Sequence, residues 1–141
     1  FAGSSCISKE RYCYVYGKRK KDLQYQTYGA TYQWLFEALK ATGSLRKRRN
    51  LDQIKIPILL FEAGWDHMVG NAEIEQAAER IAGAKLIRME HSKHEIFNAD
   101  EKTRSSYYET IFKFITQLQE QKEEDQYEEK IRETRKILGT L

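Results

Sequence analysis

Residues 56–63 form an apolar run, IPILLFEA, that contains the chain's single proline. Such a run is typical of a strand that is buried on both faces of a parallel sheet. Residues 71–82 follow with apolar side chains at helical spacing, residues 84–90 resemble a second strand, and residues 101–118 have a helical pattern again. Strand, helix, strand and helix in short succession predict a βαβα unit, and therefore an α/β protein with a parallel sheet.

The ends of the predicted helices are set by residues that cap or break helices. The 71–82 helix should be capped by Asn71 and should end at Gly83. A separate amphipathic helix is predicted over residues 29–42, with Gly43 as its stop. Its apolar face consists of Tyr32, Leu35, Phe36 and Leu39. Residues 119–141 are highly charged and predict a solvated helix, either continuous with the preceding one or separated by a break near Glu124.

Composition limits the class of protein. A chain of 141 residues that is 40% hydrophobic and 12% aromatic can form one globular domain. Neither a membrane-spanning stretch nor a signal peptide is visible. Cys6 and Cys13 form neither a disulfide framework nor a zinc pattern, so we expect a reducing, cytoplasmic compartment. Because the chain begins with Phe1 and not Met, we expect it to be a piece of a longer protein.

Positive charge is concentrated in the first third of the chain. Residues 1–50 contain 11 Lys and Arg against 3 Asp and Glu, with basic runs at residues 18–21 and 46–49. Solvated surface charge explains each run taken singly. Two such runs on either side of an aromatic helix also favour peripheral contact with a membrane surface, here the inner membrane. No nucleic-acid-binding motif accompanies them, so no nucleic acid is expected as a partner.

Three polar residues follow the two predicted strands. Asp66 comes directly after the first strand, and His91 and His94 come directly after the second. Loops at the carboxyl ends of parallel strands lie along one edge of the sheet, where ligands bind. A carboxylate and an imidazole can therefore meet there, as the acid and base of a serine triad do. The acid also precedes the base along the chain, which is the order found in α/β-hydrolases.

Three stretches carry a family resemblance. They are SKERY with TYGATYQWLFEAL, then IPILLFEAGWDHMVGN, and then HSKHEIFNADEKTRSSYYETIFKFI. They resemble the C-terminal part of α/β-hydrolases of the lysophospholipase and monoacylglycerol-lipase type, and most of all the bacterial lysophospholipase L2 group. The resemblance implies the C-terminal half of an α/β-hydrolase fold preceded by a helical cap. It places the cap at residues 1–50, the hydrolase core at 51–118 and a charged C-terminal helix at 119–141.

The resemblance also assigns roles to individual residues. The family's acid falls on Asp66 and its base on His94. The family's Asn falls on Asn71, which we interpret as a helix cap. On the cap helix, Trp34 and Phe36 are candidate substrate-binding residues, although packing against the hydrolase body is the expected role of most of that helix's apolar side chains. No cofactor is implied.

The histidines also raise the possibility of a metal site. His67, His91, His94 and Asp66 are its candidate ligands. A zinc site needs three or four ligands in a defined geometry, and these residues are only loosely spaced. We therefore predict no metal, and interpret His67 as a loop residue and His91 as a polar strand-end residue.

The nucleophile of the family does not occur in these residues. G-x-S-x-G is absent, since Gly3-Ser4-Ser5-Cys6 lacks the second glycine and Gly43-Ser44 is followed by Leu45. Cysteine is not expected to replace the serine, because Cys6 and Cys13 fall in the cap region. The chain should therefore be inactive alone, as part of a serine carboxylic-ester hydrolase acting on a lysophospholipid or monoacylglycerol. The alternative is a non-catalytic binding or interaction module derived from that fold.

Overall fold

The computed structural model describes residues 1–26, 29–45 and 47–138. Arg46, which belongs to the second basic run, and the last residues of the charged tail lie outside the described residues. The chain divides into two compact units, Phe1–Ser105 and Ser106–Leu141.

The described residues form an α/β structure of five α-helices and two strands. In chain order they are α1 (Lys9–Lys21), α2 (Tyr32–Leu45), α3 (Arg48–Asp52), β1 (Ile58–Ala63), α4 (Asn71–Arg80), β2 (Ala84–Met89) and α5 (Glu101–Leu138). Short 3₁₀ turns occupy Leu23–Tyr25 and Ile96–Asn98. The predicted strand, helix, strand and helix are all present, and β1 and β2 pair in parallel.

Helices α1 and α5 have side-chain caps that explain where they begin. The Ser8 hydroxyl accepts a hydrogen bond from the Arg11 backbone N–H at 3.3 Å at the start of α1. Asp100 does the same for α5, with its Oδ1 atom 3.1 Å from the Thr103 backbone nitrogen. The first basic run, residues 18–21, forms the last turn of α1. Positive side chains there interact favourably with the negative end of the helix dipole.

Helix α5 resolves the alternative left open for the charged tail. It runs without interruption from Glu101 to Leu138, so the described tail continues the preceding helix and no break occurs near Glu124. Its first residues belong to the first unit and the rest to the second. Among the described residues, no helix has the length and apolar character needed to cross a membrane.

The apolar face of α2 differs from the expectation that it packs. Trp34, Leu35, Phe36 and Leu39 remain between 48% and 65% exposed. The helix also continues through Gly43 to Leu45, because Gly43 keeps a negative φ and a glycine ends a helix mainly by taking the left-handed conformation. The predicted stop at Gly43 is therefore wrong, and the predicted packing of this face does not occur within the described residues.

Burial in the first unit is concentrated at the carboxyl ends of the strands. Glu62 and Ala63 at the end of β1 are buried, and so are Ser92, Ile96 and Asn98 after β2. The strand centres are only partly covered by the described residues. Much of the burial in the first unit therefore surrounds the two loops that carry Asp66 and His94.

Candidate functional site

The two strands bring their loops out of the sheet side by side. In the parallel register, Ala63 at the end of β1 lies opposite Met89 at the end of β2. Two backbone hydrogen bonds continue this pairing beyond the strands. The Gly64 N–H donates to the Met89 carbonyl at 2.9 Å, and the Trp65 N–H donates to the Ser92 carbonyl at 2.9 Å. The loop of residues 64–70, which carries Asp66 and is called the acid loop, and the loop of residues 90–95, called the histidine loop, are thus joined by backbone hydrogen bonds.

Gly64 is the point of closest approach between these loops. A Cβ atom at this position would lie 2.2 Å from the Glu90 carbonyl oxygen and 2.9 Å from the Glu90 Cα. Both contacts are with backbone atoms, which no rotamer change can move away. The glycine is required by this close approach and not by a positive φ, since its φ is not in the left-handed region.

Asp66 and His94 meet at this edge of the sheet. The distance between His94 Nδ1 and Asp66 Oδ2 is 2.9 Å. The other carboxylate oxygen, Oδ1, accepts hydrogen bonds from the backbone N–H groups of Met68 at 2.8 Å and Val69 at 3.1 Å. The Asp66 side chain is only 5% exposed, whereas the His94 side chain is 39% exposed. The carboxylate is therefore fixed in place, and the imidazole reaches toward solvent.

The ionisation of Asp66 determines the tautomer of His94. Burial raises the pKa of the Asp66 carboxyl, but hydrogen bonds from His94 and from the Met68 and Val69 amides outweigh it, so the pKa lies below its ordinary value of 3.8. An ionised carboxylate only accepts hydrogen bonds. Nδ1 of His94 must therefore carry the proton, which leaves the Nε2 lone pair of the neutral ring free to act as a base.

The lowered pKa of Asp66 predicts how stability depends on pH. A carboxyl whose pKa is lower in the folded state stabilises the fold above its unfolded-state pKa, and this contribution is lost as pH falls through the folded-state value. We expect the unfolding free energy, measured by urea denaturation, to decrease below about pH 4. The Asp66→Asn variant should show a smaller decrease between pH 6 and pH 3 than the wild type. An equal decrease in both proteins would contradict the assigned shift.

The other two histidines lie nearby but do not join this pair. His91 is exposed and contacts the Trp65 ring edge to face, with 5.6 Å between ring centroids. His67 is exposed in the acid loop. Within the part of the chain that the structure describes, no group of three or more His, Cys, Asp or Glu residues is placed to hold a metal ion.

Asn71 does not cap α4 as predicted. The N-cap residue is Gly70, and Asn71 is the first residue of the helix. Its side-chain N–H donates instead to the carbonyl of Ala63 at 3.1 Å. Ala63 is the last residue of β1 and comes directly before the acid loop. Asn71 therefore supports the acid loop from the helix side.

The sequence analysis did not identify an ion pair between the two strands, in which a buried glutamate binds a partly exposed arginine. Glu62 is 1% exposed and binds the guanidinium of Arg88 on the neighbouring strand. Arg88 also contacts Glu90 at 2.9 Å and Glu75 of α4 at 3.7 Å. The signal was present in the sequence, since Glu62 is the one charged residue in the apolar run of β1. A buried charge of this kind requires a partner, and Arg88 supplies it.

The candidate substrate-binding residues of α2, Trp34 and Phe36, do not line the groove that borders the acid loop. This groove, of about 840 Å³, is bordered by Met68 and Val69 of the acid loop and by the last turns of α2 through Thr42 and Leu45. Both Trp34 and Phe36 are more than 60% exposed.

Comparison with known proteins gives no match to a family model, to a curated protein or to a solved structure. The geometry of the described residues and the resemblance of the three sequence stretches are therefore what supports a function.

Proposed function

We propose that Asp66 and His94 are the acid and the base of a serine carboxylic-ester hydrolase with an α/β-hydrolase fold. The observation that carries the proposal is the contact of 2.9 Å between His94 Nδ1 and Asp66 Oδ2. A triad needs this contact in this orientation, with the carboxylate held rigidly and the second ring nitrogen free. Both conditions are met by the backbone bonds to Asp66 and by the exposure of His94.

In the proposed reaction, His94 moves protons and Asp66 keeps it in the required tautomer. Nε2 of His94 takes the proton of a serine hydroxyl while the serine oxygen attacks the ester carbonyl. The proton then passes to the leaving alcohol as the carbon–oxygen bond breaks. Water, deprotonated by the same nitrogen, releases the acid from the serine ester. Asp66 stabilises the imidazolium at each proton transfer.

The serine of this mechanism lies outside the 141 residues. No G-x-S-x-G occurs among them, and the cysteines offer no replacement. Cys6 is closer to the histidine loop than its place in the cap region implied, but its thiol is buried, and its single S–H is shared between the carbonyls of Ser8 and Asn98. The nucleophile and the oxyanion hole would be supplied by further polypeptide that pairs with this half.

The substrate class that we propose is a lysophospholipid or a monoacylglycerol. The resemblance supports this class, and so does the surface of the first unit. Trp34, Phe36 and Leu39 leave apolar area of α2 in contact with solvent, where an acyl chain or a lipid surface can cover it. Lys20 and Lys21 at the end of α1 add exposed positive charge that attracts anionic headgroups.

The test of this function is labelling with a fluorophosphonate, which reacts with activated serines. The protein would be isolated from its own cells through an affinity tag, and the labelled polypeptide identified by peptide mapping. We expect a labelled serine in the polypeptide that contains these residues or in one that copurifies with it. The 141-residue chain alone should not be labelled. Absence of label from the isolated protein would favour the alternative, a non-catalytic binding module.

Contact with a lipid surface predicts binding to anionic vesicles. Vesicles that contain phosphatidylserine should shift the fluorescence of Trp34, measured in a Trp65→Phe background because Trp65 is exposed too, to shorter wavelength as the indole leaves water. Replacing both Lys20 and Lys21 by Gln should weaken binding by about 2 kcal/mol, or about thirtyfold, since each cation near such a surface contributes about 1 kcal/mol. A Lys122→Gln, Lys130→Gln variant of α5 is the matched control. Equal binding to uncharged vesicles would contradict the role of the lysines.

A further inference from the structure

Residue Ser5, near the start of the chain, is hydrogen-bonded to the histidine loop. The Ser5 hydroxyl donates to Oε1 of Glu95 at 2.6 Å, and the Glu95 backbone N–H donates to the Ser5 carbonyl at 3.0 Å. Glu95 is the residue directly after His94. Side chain and backbone of one residue are thus both bound to a partner that lies 90 positions away in the sequence.

The other carboxylate oxygen of Glu95 is bound as well. Its Oε2 accepts a hydrogen bond from the side-chain N–H of Asn98 at 2.9 Å. Asn98 in turn is held from the N-terminal side, because its Oδ1 accepts from Arg11 Nε at 3.2 Å and its carbonyl accepts from the Cys6 thiol at 3.0 Å. Asn98 is 2% exposed and Cys6 is fully buried, so the bond between these two residues is shielded from water, and the other two bonds are partly buried.

These bonds hold the backbone next to His94, whereas Asp66 holds its imidazole ring. The imidazole ring has one hydrogen-bond partner among the described residues, the carboxylate of Asp66. The backbone that carries the ring is fixed at the next residue, through Glu95. A shift of about 1 Å in the backbone would stretch the contact between Nδ1 and Oδ2 beyond the hydrogen-bonding range.

We infer that Ser5 and Glu95 are positioning residues, and that docking of residues 1–6 on the histidine loop keeps His94 hydrogen-bonded to Asp66. Detachment of the segment would free the loop and separate the imidazole from the carboxylate. Only the catalytic meaning of this inference rests on the proposed function. In that setting, the segment regulates the base, because the enzyme is competent only while residues 1–6 are docked.

The inference is tested by following the Nδ1 proton of His94 by NMR in the ¹⁵N-histidine-labelled full chain. A proton held by a carboxylate exchanges slowly with water. Ser5→Ala removes the hydroxyl that reaches Glu95, and we expect Nδ1 exchange to accelerate about tenfold, which is the effect of losing one hydrogen bond to a charged group. Ser4→Ala is the matched control, because the Ser4 hydroxyl donates within its own segment, to the Cys6 carbonyl. It should exchange as the wild type does.

Unchanged exchange in a folded Ser5→Ala variant would overturn the inference. If Ser5→Ala does not fold, Ser5→Thr decides, because threonine retains the hydroxyl. A folded Ser5→Thr variant with wild-type exchange supports the positioning role, and an unfolded one contradicts it, since side-chain volume and not the hydrogen bond would then be what matters. The readout requires no activity, so failure of serine labelling would leave this result standing, and the reverse also holds.

Discussion

Asp66→Asn is expected to lower the rate of serine labelling in the isolated protein by about ten-thousandfold. The reason lies in the two backbone N–H groups that bind Oδ1 of Asp66. In the variant, the amide oxygen must take this position to accept from Met68 and Val69. The amide NH₂ then faces His94, whose Nδ1 must become an acceptor. The proton moves to Nε2, and the lone pair that would deprotonate the serine is lost.

His94→Ala removes the base itself, and its effect should be at least as large. The matched control is His91→Ala, which removes an exposed imidazole from the same loop, and it should label at close to the wild-type rate. Far-UV circular dichroism verifies that each variant is folded. A labelling rate that is unchanged in His94→Ala, or reduced equally in His91→Ala, would rule out the proposed assignment.

Gly64→Ala is expected to be strongly destabilising, although it adds only one methyl group. The added Cβ would overlap the backbone of Glu90, with 2.2 Å to its carbonyl oxygen. The acid loop can relieve this overlap only by moving away from β2, which breaks the hydrogen bonds from Gly64 and Trp65. Overpacking of this kind costs about 1–3 kcal/mol. The free energy of unfolding in urea measures it.

Gly43→Ala is the matched control: it adds the same methyl group but should not lower the free energy of unfolding. Gly43 lies within α2, and a Cβ there would contact nothing within 4 Å. Since alanine is the better helix former by about 1 kcal/mol, this variant should be as stable as the wild type or more so. If Gly64→Ala unfolded at the same urea concentration as Gly43→Ala, the close approach of the two loops would be wrong.

The parts of the fold that could be predicted are those that depend on local periodicity. The apolar run predicted the strand β1, and the apolar residues at helical spacing predicted the helix α4. That Asp66 could meet a histidine of the second loop followed from a general property of parallel sheets, that the carboxyl ends of strands share one edge. The choice of His94 over His91 came from the family resemblance and not from the chain order of the two strands.

The parts that failed depend on backbone conformation and on contacts that the local pattern of residue types does not determine. Asn71 is a good cap by type, but the carbonyl of Ala63 competes for its side chain. Gly43 stops a helix only in a left-handed conformation, which it does not adopt. The bond between Ser5 and Glu95 joins residues 90 positions apart and belongs to no periodic pattern. Local reasoning has no access to such pairs.

In the register of β1 and β2, the two strands end opposite each other. This determines which segments of the chain can change in length and which cannot. Ala63 lies opposite Met89, and each catalytic candidate follows within a few residues of its strand's end. Insertions in the crossover between Gly70 and Gly83 would change α4 but leave both strand ends in place. One residue inserted within either strand would shift its loop by about 3.3 Å and reverse the faces of its side chains. Among proteins with this strand–helix–strand arrangement, insertions and deletions should therefore be found in the crossover and not in the strands.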